Sequence, residues 1–432
     1  MAEKETDSKI KSQAFKNVGK LLLGNTTATA IGFLVYPLLT RLYTSEDFGV
    51  YGIFTSICGV LTLLANAEYH NAIILPKEEK DSVACFHLSS ISTIIICLIA
   101  FLGSVILFLF PESELNKIGD TILLIAPYVL ICALWNSLNA WYTKISKFNK
   151  IATYQMTQAV SLASFKALFG LIKSMFNGMA IATFIGQASA LLLNLFSSKK
   201  QNKVLLEIDL ERCKACARRY AKFPALTLPR SLVNYISGNL PFFLLPYFFT
   251  NDNIGYLNLA LVLAFKPINI LSGSLYQVFF QKSAQCVNES QPLMPFFKKF
   301  SLSTLSAIPV LTLIYFITPT LVQVILGEGW EPTAVIVRMM LPWLAASLFV
   351  APICYFTDLF LRQRIGLLLE TLHFFARLAS LCYGIYRQDF TIAIGLYCLA
   401  NALMILIHYA WLYFIVNEYD KGLSKNRDME RE

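Results

Sequence analysis

Six lysines and arginines stand inside long apolar blocks of the sequence: Arg41, Lys166, Arg230, Lys266, Arg338 and Arg377. A cation at the centre of a membrane helix costs about 2.5 to 3.5 kcal/mol on insertion scales, so such residues face a bundle interior or a watery cavity. Acids do not balance them. Glu370 is the one carboxylate well inside an apolar block, with Glu68 and Asp358 near block ends. At about 100° per residue, the cations share helical faces with polar and small side chains. Gln155, Gln158, Lys166 and Gly170 fall within one arc, and Arg230, Asn234, Ser237 and Pro241 within another. Lys266, Asn269, Gly273 and Gln277 make a third, and Glu370, His373, Arg377, Ser380 and Gly384 a fourth. Four polar stripes each carry a cation, with Arg230 in the inner third, Lys266 and Arg377 near the middle and Lys166 in the outer half, a ladder that suits an anion moving through a bilayer. Arg338, near a helix end, fits this ladder and a structural role equally. Arg41, at a helix end and off its polar face, is expected to snorkel to the interface. His373 lies one turn from both Glu370 and Arg377, which suits ion coupling through the Glu370–His373 pair or a satisfied structural histidine.

The elements that must position these residues are membrane helices. Of 432 residues, 56% are hydrophobic and 15% charged, against about 45 to 50% and about 25% in soluble domains. The apolar residues come in blocks such as Leu88 to Phe110 and Ile392 to Val416, and about 20 apolar residues in a helix span the roughly 30 Å hydrocarbon core. Twelve spans are expected, near 21–42, 48–67, 83–110, 121–141, 151–171, 176–196, 223–249, 254–280, 300–318, 333–357, 365–385 and 390–416. Residues 1–20 are polar, and the apolar stretch after them carries Asn25, Thr26, Thr27 and Thr29. That reads as a retained first span rather than a cleaved signal peptide. An even span count places both termini on one side. The loops and termini of that side hold 27 of the 36 lysines and arginines, while the other side holds Lys117, Lys173 and Arg387. The positive-inside bias therefore puts the termini and the basic loop 197–222 in the cytoplasm. It also accounts for most of the net charge of +9 without a nucleic-acid partner.

The expected organisation is a cytoplasmic N-terminus (1–20), a six-helix lobe (21–196), a cytoplasmic linker (197–222), a second six-helix lobe (223–416) and a cytoplasmic tail (417–432). A duplication supports it. At an offset of 206 residues, Thr44-Ser45-Glu46-Asp47-Phe48-Gly49 falls on Thr250-Asn251-Asp252-Asn253-Ile254-Gly255, and Gly32 falls on Gly238. Both hexapeptides have the composition of a helix cap. Prolines punctuate the spans, among them Pro37, Pro127, Pro229, Pro241, Pro246, Pro267, Pro342 and Pro352, where missing amide donors bend helices. The ten cysteines are scattered, most of them inside spans, as suits apolar fillers rather than a disulfide framework. Cys213 and Cys216 form a CxxC in the basic loop, two ligands short of a tetrahedral zinc site. No metal or cofactor is expected.

Thr40-Arg41-Leu42-Tyr43-Thr44-Ser45-Glu46-Asp47-Phe48-Gly49-Val50-Tyr51 and Ala72-Ile73-Ile74-Leu75-Pro76-Lys77 resemble the opening of the Wzx-type O-antigen flippases, bacterial polysaccharide exporters. Phe223-Pro224, Pro229, Leu240-Pro241, Gly255-Tyr256, Lys266-Pro267 and Gln277-Val278-Phe279-Phe280 resemble the start of that family's second half. The resemblance covers residues 15–85 and 220–285, and elsewhere it is one of hydropathy. It implies an all-α integral membrane fold of about 12 helices in two six-helix lobes, like the multidrug-and-toxin extruders. It also implies a flippase, not an enzyme, that carries undecaprenyl-pyrophosphate-linked oligosaccharide repeat units across the bacterial inner membrane. The partners implied are that lipid-linked cargo, membrane lipids, a polysaccharide polymerase and a chain-length regulator. The family has no universal catalytic motif to carry over, so the cations remain a reading of the residues alone. An anionic pyrophosphate suits a cationic path, and hydroxyl, amide and aromatic groups suit its sugars.

Two rival readings are separable. A multidrug extruder of the same fold, exporting organic cations, is expected to line its cavity with carboxylates, whereas cations predominate here. A membrane polymerase or ligase is expected to carry a large outer loop with catalytic groups; the longest outer loop, Thr318 to Pro332, offers only Glu328 and Glu331. An ATP-driven pump is disfavoured, because the near-match to a phosphate loop at Gly19 to Thr26 lacks the lysine after its second glycine.

Overall fold

The computed structural model describes residues 26–110, 116–172, 177–360 and 362–429. The N-terminus 1–20 and Lys173 lie outside these. The protein is all-helical, as expected, and divides into two compact units, Met1–Gly255 and Tyr256–Glu432. Among the described residues, eight helices are long and apolar enough to cross a membrane. The remaining expected spans are also helical, though two of them are broken.

The first unit opens with α1 (26–34) and α2 (Tyr36–Leu42), parted at Val35. Pro37 enters the new helix in its first turn, where a missing amide costs least. α3 (Ser45–Asn66) follows, then a single turn α4 (Tyr69–Ala72) and the long α5 (Glu79–Leu109). Next come α6 (Ile125–Lys144), α7 (Phe148–Ile172) and α8 (Gly178–Ser197). The basic linker is itself folded, as the turn α9 (Lys199–Asn202) and the helix α10 (Leu210–Arg219). Expected span seven is a chain of short pieces: a π-turn Phe223–Thr227, α11 (Leu228–Gly238), α12 (Leu240–Leu244) and a 3-10 turn Leu245–Tyr247. Pro224, Pro229, Pro241 and Pro246 each stand at the start of one piece, which is where a residue without an amide donor is tolerated. α3 is the centre of this unit, packed against α5, α6, α8, α11 and α12.

The second unit contains most of α13 (Asn251–Asn288), then α14 (Met294–Leu305), α15 (Ala307–Leu326), α16 (Glu331–Val350), the turn α17 (Phe356–Leu359), α18 (Gln363–Tyr386) and α19 (Phe390–Met429). α19 packs on α14, α16 and α18. Two boundaries depart from the sequence reading. α15 runs on to Leu326 with Pro319 inside it, so the outer loop expected from Thr318 shrinks to the residues around Gly327 and Gly329, whose φ of 95° and 85° turn the chain. A single proline forfeits one backbone bond, which the rest of the helix tolerates. α19 continues through the expected tail to Met429.

Exposure shows which helices meet lipid. In the most apolar stretch of α5 only 17% of residues are buried, against 56% in α16. Leu98, Ile99, Leu102 and Leu109 of α5 all lie open, which for a membrane protein is contact with acyl chains.

The repeat becomes physical at α3 and α13. Thr44 and Asp47 form a reciprocal capping box, with Thr44 Oγ1 accepting from the Asp47 amide at 3.2 Å and Asp47 Oδ2 from the Thr44 amide at 3.0 Å. At the equivalent place Thr250 Oγ1 accepts from the Asn253 amide at 3.4 Å. The two helix starts also touch. A Cβ on Gly49 would overlap the Asn251 carbonyl, and one on Gly255 would overlap the Ser45 carbonyl. Ser45 and Asn251 are themselves equivalent at the 206-residue offset, so the contact is symmetric in the repeat. Ser45 Oγ donates to Asp252 Oδ1 beside it. Glycine is required at both positions because backbone meets backbone there.

Candidate functional site

The polar stripe of α7 is an interior face of the first unit. Lys166 is 7% exposed. Its Nζ donates to Tyr51 Oη at 3.0 Å and lies 4.2 Å from the centroid of the same ring, so one tyrosine supplies both a hydroxyl acceptor and a π-face. Thr183 Oγ1 lies 3.3 Å from the same hydroxyl, and Tyr43 Oη donates to the Lys166 carbonyl at 2.7 Å. The capped start of α3 fixes Tyr51, and Gly170 lets α7 close on Leu42 and Tyr43. A phosphate reaches Lys166 only if the Tyr51 ring moves. About two turns away, Gln158 donates to Gln187 Oε1, whereas Gln155 Oε1 is buried without a hydrogen-bond partner among the described residues.

The stripe of α11 is open. Arg230 and Asn234 are exposed, and Ser237 is buried. Arg230 stands near the start of α11, just after Pro229, so its guanidinium extends from the end of a broken helix.

In the second unit Arg377 and His373 come together through a residue that the sequence reading did not single out. Asn401 of α19 is fully buried. Its Oδ1 accepts from Arg377 Nε at 2.8 Å and from His373 Nε2 at 3.1 Å, while its Nδ2 donates to the Tyr397 carbonyl at 2.7 Å. Because that oxygen can only accept, His373 carries its proton on Nε2 toward it. Glu370, one turn before His373, is exposed and takes no part in this cluster. Arg338 donates through Nε to the Tyr315 carbonyl at 2.9 Å and lies 4.9 Å from the centroid of the Tyr315 ring, which joins α16 to α15. Lys266 is half-buried on α13 beside Phe265, whose ring packs on Trp343 at 4.4 Å, and Asn269 is exposed. The side chain of Gln277 lies outside the described residues. Arg41 donates to the Pro37 carbonyl at 3.0 Å within its own turn and is exposed, in keeping with a cation that snorkels.

Neutral groups dominate these contacts. The described ion pairs belong to Arg212, Lys214, Arg219 and Arg362, all between spans. A second polar cluster crosses the first unit: Asn66 Nδ2 donates to Ser89 Oγ at 3.1 Å and the Ala133 carbonyl at 3.0 Å, and Asn66 Oδ1 accepts from Asn136 at 3.1 Å. It ties α3, α5 and α6 together. Its members fall at helical spacing too, but none is charged, so the sequence offered no reason to rank them.

The linker cysteines are packing groups. Cys213 and Cys216 of α10 are buried against the start of α5, with their sulfurs 3.7 Å from the Ala84 carbonyl and 3.8 Å from the Asp81 carbonyl. Burial pushes both thiols above their ordinary range, which leaves little thiolate for metal or redox chemistry. Arg212 fastens the same helix, 3.1 Å from both Glu78 and Asp81.

Comparison with known proteins agrees with this architecture. Residues 38–335 match the family model described as polysaccharide biosynthesis protein. A Klebsiella pneumoniae protein, an uncharacterized membrane protein in a cps region, is 22% identical over 338 residues; the match covers 74% of this chain and 66% of that relative's length. The lipid II flippase MurJ, in an inward closed conformation, superposes with a TM-score of 0.71 at 13% identity, covering 94% of this chain and 90% of MurJ. An inward-facing multidrug resistance MATE transporter of the MOP superfamily superposes at 0.61 with 11% identity, covering 93% of this chain and 98% of the transporter. At such identities the likeness is one of fold. By the extent of the family match, and with a fold shared with MurJ and the MATE transporters, this multi-pass membrane protein belongs to the polysaccharide biosynthesis protein family.

Proposed function

We propose that the protein is a flippase that moves an undecaprenyl-pyrophosphate-linked oligosaccharide from the cytoplasmic to the periplasmic leaflet of the bacterial inner membrane, with both termini in the cytoplasm. The observation that carries this reading is the set of intramembrane cations whose described contacts are hydroxyls, rings, amides and carbonyls. A pyrophosphate is the chemical complement of such a set of donors. The family's description and the fold shared with a lipid II flippase support the reading; a carrier of organic cations would call for carboxylates in place of these residues.

In this proposal the cations divide by role. Each unit offers cations to an anionic headgroup: Arg230, exposed on α11, in the first, and Lys266 and Arg377, the latter bonded to Asn401, in the second. Asn234, Asn269 and Gln277 are the polar groups offered to the sugars. Lys166 and Arg338 hold Tyr51 and Tyr315 and shape the path from behind. Glu370 and His373 are the groups proposed to couple transport to an ion gradient; Glu370→Gln then uncouples flux from an imposed pH difference while leaving cargo binding intact, and undiminished gradient-driven flux excludes that role. The polysaccharide polymerase and chain-length regulator of such a pathway are not required for the flipping step itself.

The test is complementation of a bacterial strain that lacks its own oligosaccharide flippase. The wild-type chain restores surface glycan, and Arg230→Ala and Arg377→Ala fail to do so at equal membrane abundance. Restoration by the variant carrying both changes would remove the headgroup role.

A further inference from the structure

An apolar groove of about 250 Å³ runs along the first unit between α3, α5, the turn into α6 and the proline-rich end of span seven. Ile57, Leu107, Ile122 and Phe243 line it, and Lys117 and Tyr247 close one end. The ammonium of Lys117 lies 5.3 Å from the centroid of the Tyr247 ring. On the α5 side the wall is thin: a Cβ at Gly103 meets no described heavy atom within 4 Å, while Leu102 and Ile106 on either side are 63% and 57% exposed. The groove is thus continuous with the lipid-facing surface of α5. It also lies toward the end of α5 away from the basic linker, because Cys213 of α10 packs on Ala84 at the other end and 19 residues, about 28 Å of helix, separate Ala84 from Gly103.

Two observations say what fills it. The wall that gives onto the bilayer admits hydrocarbon without any route through the protein. The mouth carries one of the few cations on that side of the sequence, Lys117, held over an aromatic ring, and a cation beside a lipid-facing opening attracts a lipid phosphate. We propose that this groove is a lipid site, holding one acyl chain of an anionic phospholipid of the leaflet opposite the basic linker, with the phosphate on Lys117. Bulk phospholipid rather than the transported lipid is the occupant, because a site open to the bilayer meets far more phospholipid than cargo, and the Lys117 ammonium selects the anionic fraction of it. The site is separate from the cations assigned above to the cargo headgroup and does not depend on what is transported.

Native mass spectrometry of the detergent-purified protein tests this, with phosphatidylglycerol and phosphatidylcholine of identical chains as probes. The wild type retains phosphatidylglycerol over phosphatidylcholine. Lys117→Gln, a surface change that leaves the fold intact, lowers phosphatidylglycerol retention about fivefold, the worth of one cation at a lipid headgroup. Gly103→Phe fills the groove and removes retention of both lipids. Equal retention of the two lipids by the wild type, or wild-type retention by Lys117→Gln, overturns the proposal whatever becomes of Gly103→Phe. Displacement of phosphatidylglycerol by an equal concentration of undecaprenyl phosphate would assign the groove to the cargo lipid and overturn it as well.

Discussion

Each unit holds an intramembrane cation whose described side-chain partners are neutral, and the two do so by different means. In the first, Lys166 is sealed under Tyr51, which supplies a hydroxyl and a π-face at once. In the second, Arg377 stays half-buried and shares a single amide oxygen of Asn401 with His373. A lysine ammonium is a compact charge that one aromatic residue can cap, whereas a planar guanidinium spreads five donors over a fork that calls for several partners. The difference in burial separates the cation we read as a structural pin, Lys166, from the one proposed to meet a ligand, Arg377. Charge and depth alone, the only quantities open to sequence, rank them alike.

The largest expected effect would come from uncapping the sealed cation. Tyr51→Ala leaves Lys166 buried without its partner and should cost about 3 to 5 kcal/mol of stability, read as loss of monodisperse protein in size-exclusion chromatography and a lower melting temperature in detergent. Tyr51→Phe keeps the ring and removes the acceptor, for a loss of about 1 to 3 kcal/mol. Adding Lys166→Met to Tyr51→Phe should recover that stability, since no charge is then left to satisfy; a double variant less stable than Tyr51→Phe would break the comparison by showing that the ammonium has another anchor. Asn401→Leu should cost less than Tyr51→Ala, about 1 to 3 kcal/mol, because Arg377 is less buried than Lys166. If Asn401→Leu proves the more damaging change, the roles of the two cations are reversed. The smallest effect is at Arg338→Lys, which keeps a cation near the Tyr315 ring and loses the Nε bond to its carbonyl, worth about 0.5 to 1.5 kcal/mol in a melting experiment.

Much of this arrangement was legible in the sequence, and what was not has a physical reason. Hydropathy and length located the spans, because a bilayer forces backbone bonds to close within each helix. The cap-like hexapeptides at Thr44 and Thr250 start helices as their composition demands; that Gly49 and Gly255 also press against each other is a tertiary fact that two glycines only hint at. Helical spacing placed Lys166, Gln158 and Gly170 on one face, and that face is indeed packed inward. It could not say that Tyr51, on a different helix 115 residues away, would be the cover. Asn401 escaped notice for the same reason: an uncharged amide in an apolar block carries no signal until the arginine it serves is seen across from it. Proline signals split cleanly by context. At Pro241 and Pro246, close together and beside Gly238, the helix breaks, whereas α15 runs through Pro319, which has no glycine or second proline beside it.

The central claim, movement of an anionic lipid-linked glycan, is tested most directly in proteoliposomes that contain an undecaprenyl-pyrophosphate disaccharide with a fluorescent label on its sugar. A membrane-impermeant reductant added outside destroys label only in the outer leaflet, so flipping appears as progressive loss of the protected signal. The account predicts that wild-type protein exposes the inner pool, and that the variant carrying both Arg230→Ala and Arg377→Ala stays at the level of protein-free vesicles while Lys166→Met remains active. A wild-type protein indistinguishable from empty vesicles, or the Arg230→Ala and Arg377→Ala variant flipping at the wild-type rate, would contradict it.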